Sequence, residues 1–236
     1  MIELTGYRDK HEYVNKHGVR SVVYLMDCMD AMAQMGDKEF SLACVDPPYG
    51  IGEDGSKNSK RTGGRAKARD YKAFSGNDKR IPSKPYYNHL SRISVNQIIW
   101  GANYMVEHLK PSMGWIFWDK DTWAQDFSDG ELAYTSFNRG LKRFKYTWCG
   151  FRQGPTNQCV EDRMHPTQKP IALYDWIFHN YAKPNDTIFD SHLGSGSSRI
   201  AADKHNMPFL GVELDPDYFR DHCKRFDRYT AQLTLF

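Results

Sequence analysis

A chain of 236 residues, 40% hydrophobic and 26% charged, can bury one sizeable core and has an ordinary globular composition, which predicts a single domain over residues 1–236. Its net charge of +3 is too small to imply a polyanionic partner by itself. No apolar run approaches the roughly 20 residues of a membrane-spanning helix. The start Met1-Ile2-Glu3-Leu4-Thr5 has no secretory character, and five cysteines without a CxxC pair predict neither a metal site nor a disulfide framework. A cytoplasmic protein with no membrane partner is expected.

In chain order, Val22 to Leu25 predicts a short buried strand, Met29 to Met35 an amphipathic helix and Ser41 to Val45 a second strand, a unit that ends at Asp46. Residues 52–85 lose all periodicity and carry Lys57, Lys60, Arg61, Arg65, Lys67, Arg69, Lys72, Lys79 and Arg80, which predicts a long basic loop. Helical spacing resumes near Tyr86; Ile98 to Trp100 is apolar, Met105 to Leu109 reads as a helix, and Trp115 to Trp118 reads as a strand. Leu132 to Phe137 and Lys145 to Cys149 are further predicted strands, and residues 152–164 are polar and irregular. After Pro170, Ile171 to Tyr181 predicts a helix and Thr187 to Phe189 a strand; Gly194-Ser195-Gly196 opens a helix through Ala202, and Phe209 to Val212 is the next strand. This alternation predicts an α/β fold, a mostly parallel sheet with helices on both faces and ligands at the carboxyl ends of its strands.

Two sets of residues sit where chemistry is expected. A strand ending at Phe189-Asp190, then Gly194-x-Gly196 and a helix, lets a backbone approach a nucleotide-like ligand closely. Glu213, at the end of the following strand, stands where a carboxylate takes the hydroxyls of a ribose. Arg199 occupies the place of the third glycine of the dinucleotide fingerprint, which argues against a nicotinamide dehydrogenase and for a ligand without pyrophosphate.

The second set is Asp46-Pro47-Pro48-Tyr49. The lone pair of an aromatic amine is delocalised into its ring, so an enzyme must hold the N–H groups with acceptors that favour a nucleophilic nitrogen. Asp46 offers one acceptor and the Pro47 carbonyl another; Pro48 stiffens the turn, and Tyr49 offers a ring to stack on.

Asp-Pro-Pro-Tyr together with Phe189-Asp190 and Gly194-Ser195-Gly196 resembles the amino-methyltransferase family of DNA. The order, with residue 46 ahead of residue 194, resembles its β-type permuted subgroup, as does His165-Pro166-Thr167-Gln168-Lys169-Pro170. The resemblance implies a Rossmann-like S-adenosylmethionine-dependent methyltransferase fold, with a catalytic half over about 20–150, a target-recognition segment at 151–164 and a cofactor half at 165–236. It further implies that S-adenosylmethionine is held by Asp27 and Cys28 after the first strand, by His165, Thr167 and Lys169, by Asp190, His192, Gly194, Ser195, Gly196 and Ser197, and by Glu213. His192 is a departure, since many relatives have phenylalanine there.

The implied reaction is direct methyl transfer to the exocyclic N6 amino group of an adenine flipped out of double-stranded DNA, because Asp at the first tetrapeptide position is commoner among adenine-specific members. Cytosine N4, RNA adenine and a catalytically silent DNA-binding homologue stay open. Lys57, Lys60, Arg61, Arg65, Lys67, Arg69 and Lys72 would neutralise phosphates around the pocket mouth, with Tyr71 and Phe74 adding stacking capacity. The short recognition segment is also compatible with a homodimer.

Overall fold

The computed structural model of the protein describes residues 2–52, 78–121, 128–149, 152–155, 161, 163–164 and 167–233. In chain order its strands are β1 (Asp9–Val14), β2 (Arg20–Leu25), β3 (Phe40–Val45), β4 (Ser94–Trp100), β5 (Trp115–Asp119), β6 (Gly130–Thr135), β7 (Lys142–Lys145), β8 (Trp148–Cys149), β9 (Arg152–Gln153), β10 (Ile188–Asp190) and β11 (Phe209–Glu213). The α-helices are α1 (Cys28–Gln34), α2 (Lys84–Ile93), α3 (Ile171–Tyr181), α4 (Ser197–Lys204) and α5 (Pro216–Leu233).

Among the described residues, nine strands form one sheet in the order β1-β2-β11-β10-β3-β4-β6-β5-β7, and β8 and β9 form a separate ribbon. The five strands from β2 to β4 in that order run parallel. They are apolar on both faces because helices cover both. Along β2, Val23 and Leu25 face a core with Leu173 and Ile177 of α3, Ala201 of α4 and Phe219 of α5, whereas Val22 and Tyr24 face Met32 of α1 and Tyr86 and Leu90 of α2. Each fully buried valine, leucine, isoleucine, methionine or phenylalanine side chain among them contributes about 1.5–3 kcal/mol of transfer free energy. The sheet edges are polar instead: β1 reads Asp-Lys-His-Glu-Tyr-Val and β7 Lys-Arg-Phe-Lys, which discourages pairing with other chains.

The chain leaves β3 through α2 toward β4, and leaves β10 through α4 toward β11, on the opposite side. The seam between β3 and β10, where Ala43 pairs with Phe189, is therefore the topological switch point at which an open α/β sheet parts its loops into a ligand crevice.

The expected α/β architecture is present, with local differences. Met105 to Leu109 is not an α-helix; the segment makes two 3-10 turns, Ala102–Tyr104 and Val106–His108, because the left-handed Gly101 before them and Pro111 after them leave too little chain for a longer helix. The strand expected over 145–149 is divided into β7 and β8, since pairing with β5, from Ile116–Lys142 to Asp119–Lys145, sets the limits of β7. Three elements were not anticipated: the polar edge strand β1, the two-residue strand β9 at the start of the stretch expected to be irregular, and the helix α5. Among the described residues no helix is long and apolar enough to cross a membrane.

Candidate active site

Asp46 leaves the carboxyl end of β3 half-buried, and the tetrapeptide behind it is fixed by Asp78, whose Oδ1 accepts from the backbone N–H groups of Tyr49 at 2.7 Å and Gly50 at 3.0 Å. The Tyr49 ring then folds back over the end of β4. That is geometrically allowed only because residue 101 is glycine: a Cβ there would lie 2.1 Å from Tyr49 Cε1, and the backbone is left-handed at φ +65°. Tyr49 also stacks on Tyr104, ring centres 5.5 Å apart.

The Asp46 carboxylate is already engaged at both oxygens. Oδ1 accepts from the Tyr49 hydroxyl at 2.7 Å, and Oδ2 pairs with the Lys169 ammonium at 2.5 Å. Lys169, with 4% of its side chain exposed, also donates to the Tyr49 hydroxyl oxygen at 2.9 Å and lies 3.3 Å from Glu131 Oε2. Glu131, in β6, is bound in turn by Lys120 at 2.5 Å. Two carboxylates and two ammonium groups thus form a neutral cluster within the sheet's carboxyl edge. Burial raises the Asp46 carboxyl above the ordinary carboxylate range, with Lys169 opposing the rise. Burial also works against the Glu131 charge, but Lys169 and Lys120 outweigh it and bring that carboxyl down to about 2.

One strand away, the turn after β10 is built from inward-facing polar groups. Asp190, pushed up to about 7 by burial, accepts from the Ser198 hydroxyl at 2.6 Å and from the His192 N–H at 3.1 Å. The Ser191 hydroxyl lies 2.7 Å from the Tyr86 hydroxyl and 2.8 Å from His192 Nδ1, and burial brings the His192 ring down to about 4, hence neutral at pH 7. Glu213 closes the turn: Oε2 accepts from Gly194 N–H at 2.8 Å, and Oε1 from the N–H groups of Leu214 at 2.9 Å and Asp215 at 2.8 Å. Three backbone donors leave carboxylate lone pairs for further hydroxyl donors. Gly196, left-handed at φ +72°, has no room for a Cβ, which would meet His222 at 2.2 Å. Arg225 of α5 holds the Ser195 carbonyl at 2.8 Å and the Ser197 hydroxyl at 3.0 Å, and its other nitrogen pairs with Glu161 at 2.7 Å.

The structure brings Asp46, Pro47, Pro48 and Tyr49 to the same sheet edge as Asp190, His192, Gly194, Ser195, Gly196, Ser197 and Glu213. Asp27 and Cys28 follow β2 at that edge, where Asp27 is exposed and caps α1 by accepting from Met29 N–H at 2.7 Å. Thr167 is exposed, whereas Lys169, expected with the cofactor residues, has its ammonium on Asp46. His165 and the basic residues Lys57, Lys60, Arg61, Arg65, Lys67, Arg69 and Lys72, with Tyr71 and Phe74, lie outside the described residues, as does half of 151–164. The flanks of the basic stretch are nonetheless pinned together, since Gly52 N–H donates to the Asp78 carbonyl at 2.8 Å, next to the tetrapeptide. Sequence reading missed Glu131, Lys120, Gly101, Tyr104 and Asp78. Arg199, at the place of the dinucleotide fingerprint's third glycine, is wholly buried, with its Nε donating to the Ser21 hydroxyl at 2.7 Å.

A family model described as DNA methylase matches residues 40–224. The type II methyltransferase M2.LlaDCHI of Lactococcus lactis subsp. cremoris is 27% identical over 141 residues, 57% of this chain and 51% of that protein, so the match spans about half of that relative's length. The type II methyltransferase M1.MboII of Moraxella bovis is 22% identical over 255 residues, covering 83% of this chain and 92% of that protein. Among solved structures, M1.HpyAVI in complex with S-adenosylmethionine superposes with a TM-score of 0.53 at 17% identity, over 86% of this chain and 98% of that one. The cytosine-N4-specific PvuII DNA methyltransferase does so with a TM-score of 0.54 at 10% identity, over 87% and 86%; at such identities the likeness is one of fold. Because the matched stretch begins at the first residue of β3 and runs through the tetrapeptide, the glycine turn and Glu213, this chain belongs to the N6/N4 DNA methylase family.

Proposed function

We propose that the protein transfers a methyl group from S-adenosylmethionine to the exocyclic N6 amino group of adenine in double-stranded DNA, with the base turned out of the helix. The observation that carries this reading is the placement of the Asp46 carboxylate one strand from the glycine turn, across the β3–β10 seam, so that an amine held by Asp46 meets whatever the turn holds.

The turn fits the cofactor by its own chemistry. Gly196 makes the left-handed turn at φ +72° with His222 packed where a Cβ would stand, Glu213 is a fixed acceptor for ribose hydroxyls, and a neutral His192 adds no cationic repulsion toward a sulfonium. Asp190, Ser195 and Ser197 shape the turn, with Asp27, Cys28 and Thr167 along the same edge. When bound, S-adenosylmethionine supplies an electrophilic methyl group. The chain's part is to make the amine a nucleophile: Asp46 accepts one N–H, the Pro47 carbonyl accepts the other, and Tyr49 supports the base ring. The nitrogen gains the methyl group as the methyl–sulfur bond breaks and S-adenosylhomocysteine leaves, one proton passes from the nitrogen to solvent, and no covalent enzyme intermediate is needed. The basic residues 57–72, whose flanks are tied beside Tyr49, neutralise phosphates around the displaced base.

Adenine is preferred over cytosine because Asp rather than Ser opens the tetrapeptide. Cytosine N4 is the second reading, favoured by the likeness to a cytosine-N4-specific enzyme in fold. The test is transfer from labelled S-adenosylmethionine to unmethylated double-stranded DNA, followed by nucleoside mass analysis. N6-methyladenine is expected. N4-methylcytosine would keep the mechanism and overturn the base, and cofactor binding with no label in DNA would overturn the activity.

A further inference from the structure

Asp46 must offer an oxygen to the incoming amine, and each of its oxygens already accepts one donor within the protein, the tighter being a buried ammonium on Oδ2. The group on Oδ2 is a buried ammonium with three N–H donors, and it has three acceptors in reach: Asp46 Oδ2 at 2.5 Å, the Tyr49 hydroxyl at 2.9 Å and Glu131 Oε2 at 3.3 Å. The third contact is long. A typical ammonium–carboxylate bond is about 2.7–2.9 Å, so a movement of about half an ångström toward Glu131 would complete a strong bond there. A buried cation cannot be left unpaired without a large penalty, and Glu131 removes that penalty because it is already in contact.

We propose that Lys169 is a positioning residue of methyl transfer, which clamps Asp46 in the free enzyme and shifts onto Glu131 when the amino group of the target base takes the Asp46 oxygen. The inference rests on the reading of Asp46 as the acceptor of that amine. It gives Lys169 a role on the base side of the site, distinct from the cofactor role that its sequence context implies. Glu131 is the second seat, and Lys120, 2.5 Å from Glu131 Oε1, holds that seat negative. The ring faces of Tyr49 and Trp100, 5.3 and 5.5 Å from the ammonium, line the path.

The charges and titratable groups facing Asp46 fix the sign of the test. From its own strand and turn come Cys44 and Tyr49; from β6, Glu131, with Lys120 after β5 behind it; from β10, Asp190; and from α3 and its approach, Tyr174 and Lys169. Lys169 favours the ionised carboxylate and Glu131 opposes it. The acid limb of kcat/KM for DNA reports the free enzyme. In Lys169→Met that limb is expected to move up by about one pH unit or more, and in Glu131→Gln to move down, because the two removed charges act on Asp46 with opposite sign. Both variants are expected to bind S-adenosylmethionine within about twofold of the parent by calorimetry, a change of about 0.4 kcal/mol or less.

Limbs that stay in place, or that move in the same direction, overturn the proposal. So does a loss of cofactor affinity in Lys169→Met with an unmoved limb, which would make Lys169 a cofactor ligand. Should Lys169→Met not fold, the downward shift in the near-isosteric Glu131→Gln decides by itself. Asp46→Ala separates the two levels: retained turnover would sink the reading of Asp46 and this proposal with it. Abolished turnover combined with unshifted limbs would sink only the role of Lys169.

Discussion

His192 stands where the family resemblance expects phenylalanine, and its neighbours explain how an imidazole serves there: Ser191 engages Nδ1, Tyr86 meets the ring at an angle, and burial keeps it uncharged. The linkage sign follows. An unfolded histidine takes a proton near pH 6.5, whereas the folded ring waits until about 4. As pH falls between those values the unfolded chain binds the extra proton, and stability is lost by at most about 3 kcal/mol. His192→Phe is expected to remove that loss, so its melting temperature should gain on the parent as pH drops from 6.5 to 4; parallel curves would contradict a neutral ring. Asp46 to Tyr49, Asp190 and Glu213 were legible in the sequence because each lies at the end of a readable strand. The ammonium on Asp46 was not, since Lys169 and Tyr49 are 120 positions apart and Glu131 and Tyr49 are 82 apart. Only the folded sheet juxtaposes them.

At the scale of elements, the end of β4 shows how backbone conformation places a side chain. Gly101 turns the chain left-handed and leaves a hollow that Tyr49 fills. Gly101→Ala would cost about 1–2 kcal/mol for the backbone alone and would evict the ring. Turnover is expected to drop at least about tenfold, the effect of about 1.4 kcal/mol in the barrier, with cofactor affinity unchanged by calorimetry. A variant with full turnover would show that the ring's seat does not matter. The helix α5 was missed although its signals are present: Asp215 caps it by accepting from Asp217 and Tyr218 N–H groups, Pro216 is its first residue, and Phe219, His222, Phe226 and Thr230 recur along its buried face. Its charged composition hid that periodicity. The strand β1 had no such signal, because an edge strand with polar residues on both faces lacks the alternation by which strands are read.

For the molecule as a whole, the net charge of +3 understates how the protein would meet DNA, since the basic stretch is tied at Gly52 and Asp78 to the mouth of the site. Replacing Arg61, Arg65 and Arg69 with serine is expected to weaken binding to every DNA sequence alike. The plot of log affinity against log salt should flatten by about 0.9 for each phosphate that is no longer neutralised. An unchanged slope in DNA titrations at several salt concentrations would place the phosphate-binding groups elsewhere.

The sheet order also has a consequence for the making of the protein. β2 and β3 are complete by Val45, but β10 and β11, which lie between them, come from residues 188–213. While the chain is being translated, one edge of each early strand therefore faces a vacancy, apolar on both sides and free to pair with the wrong partner. A fragment that stops after Asn185 is expected to be recovered in inclusion bodies rather than as a folded catalytic half; a monomeric fragment with a cooperative melt would disprove this. On the ribosome, Asp46 and the glycine turn become neighbours only once residues 188–213 have emerged, so whatever guards the nascent chain must hold it open until the middle of the sheet arrives.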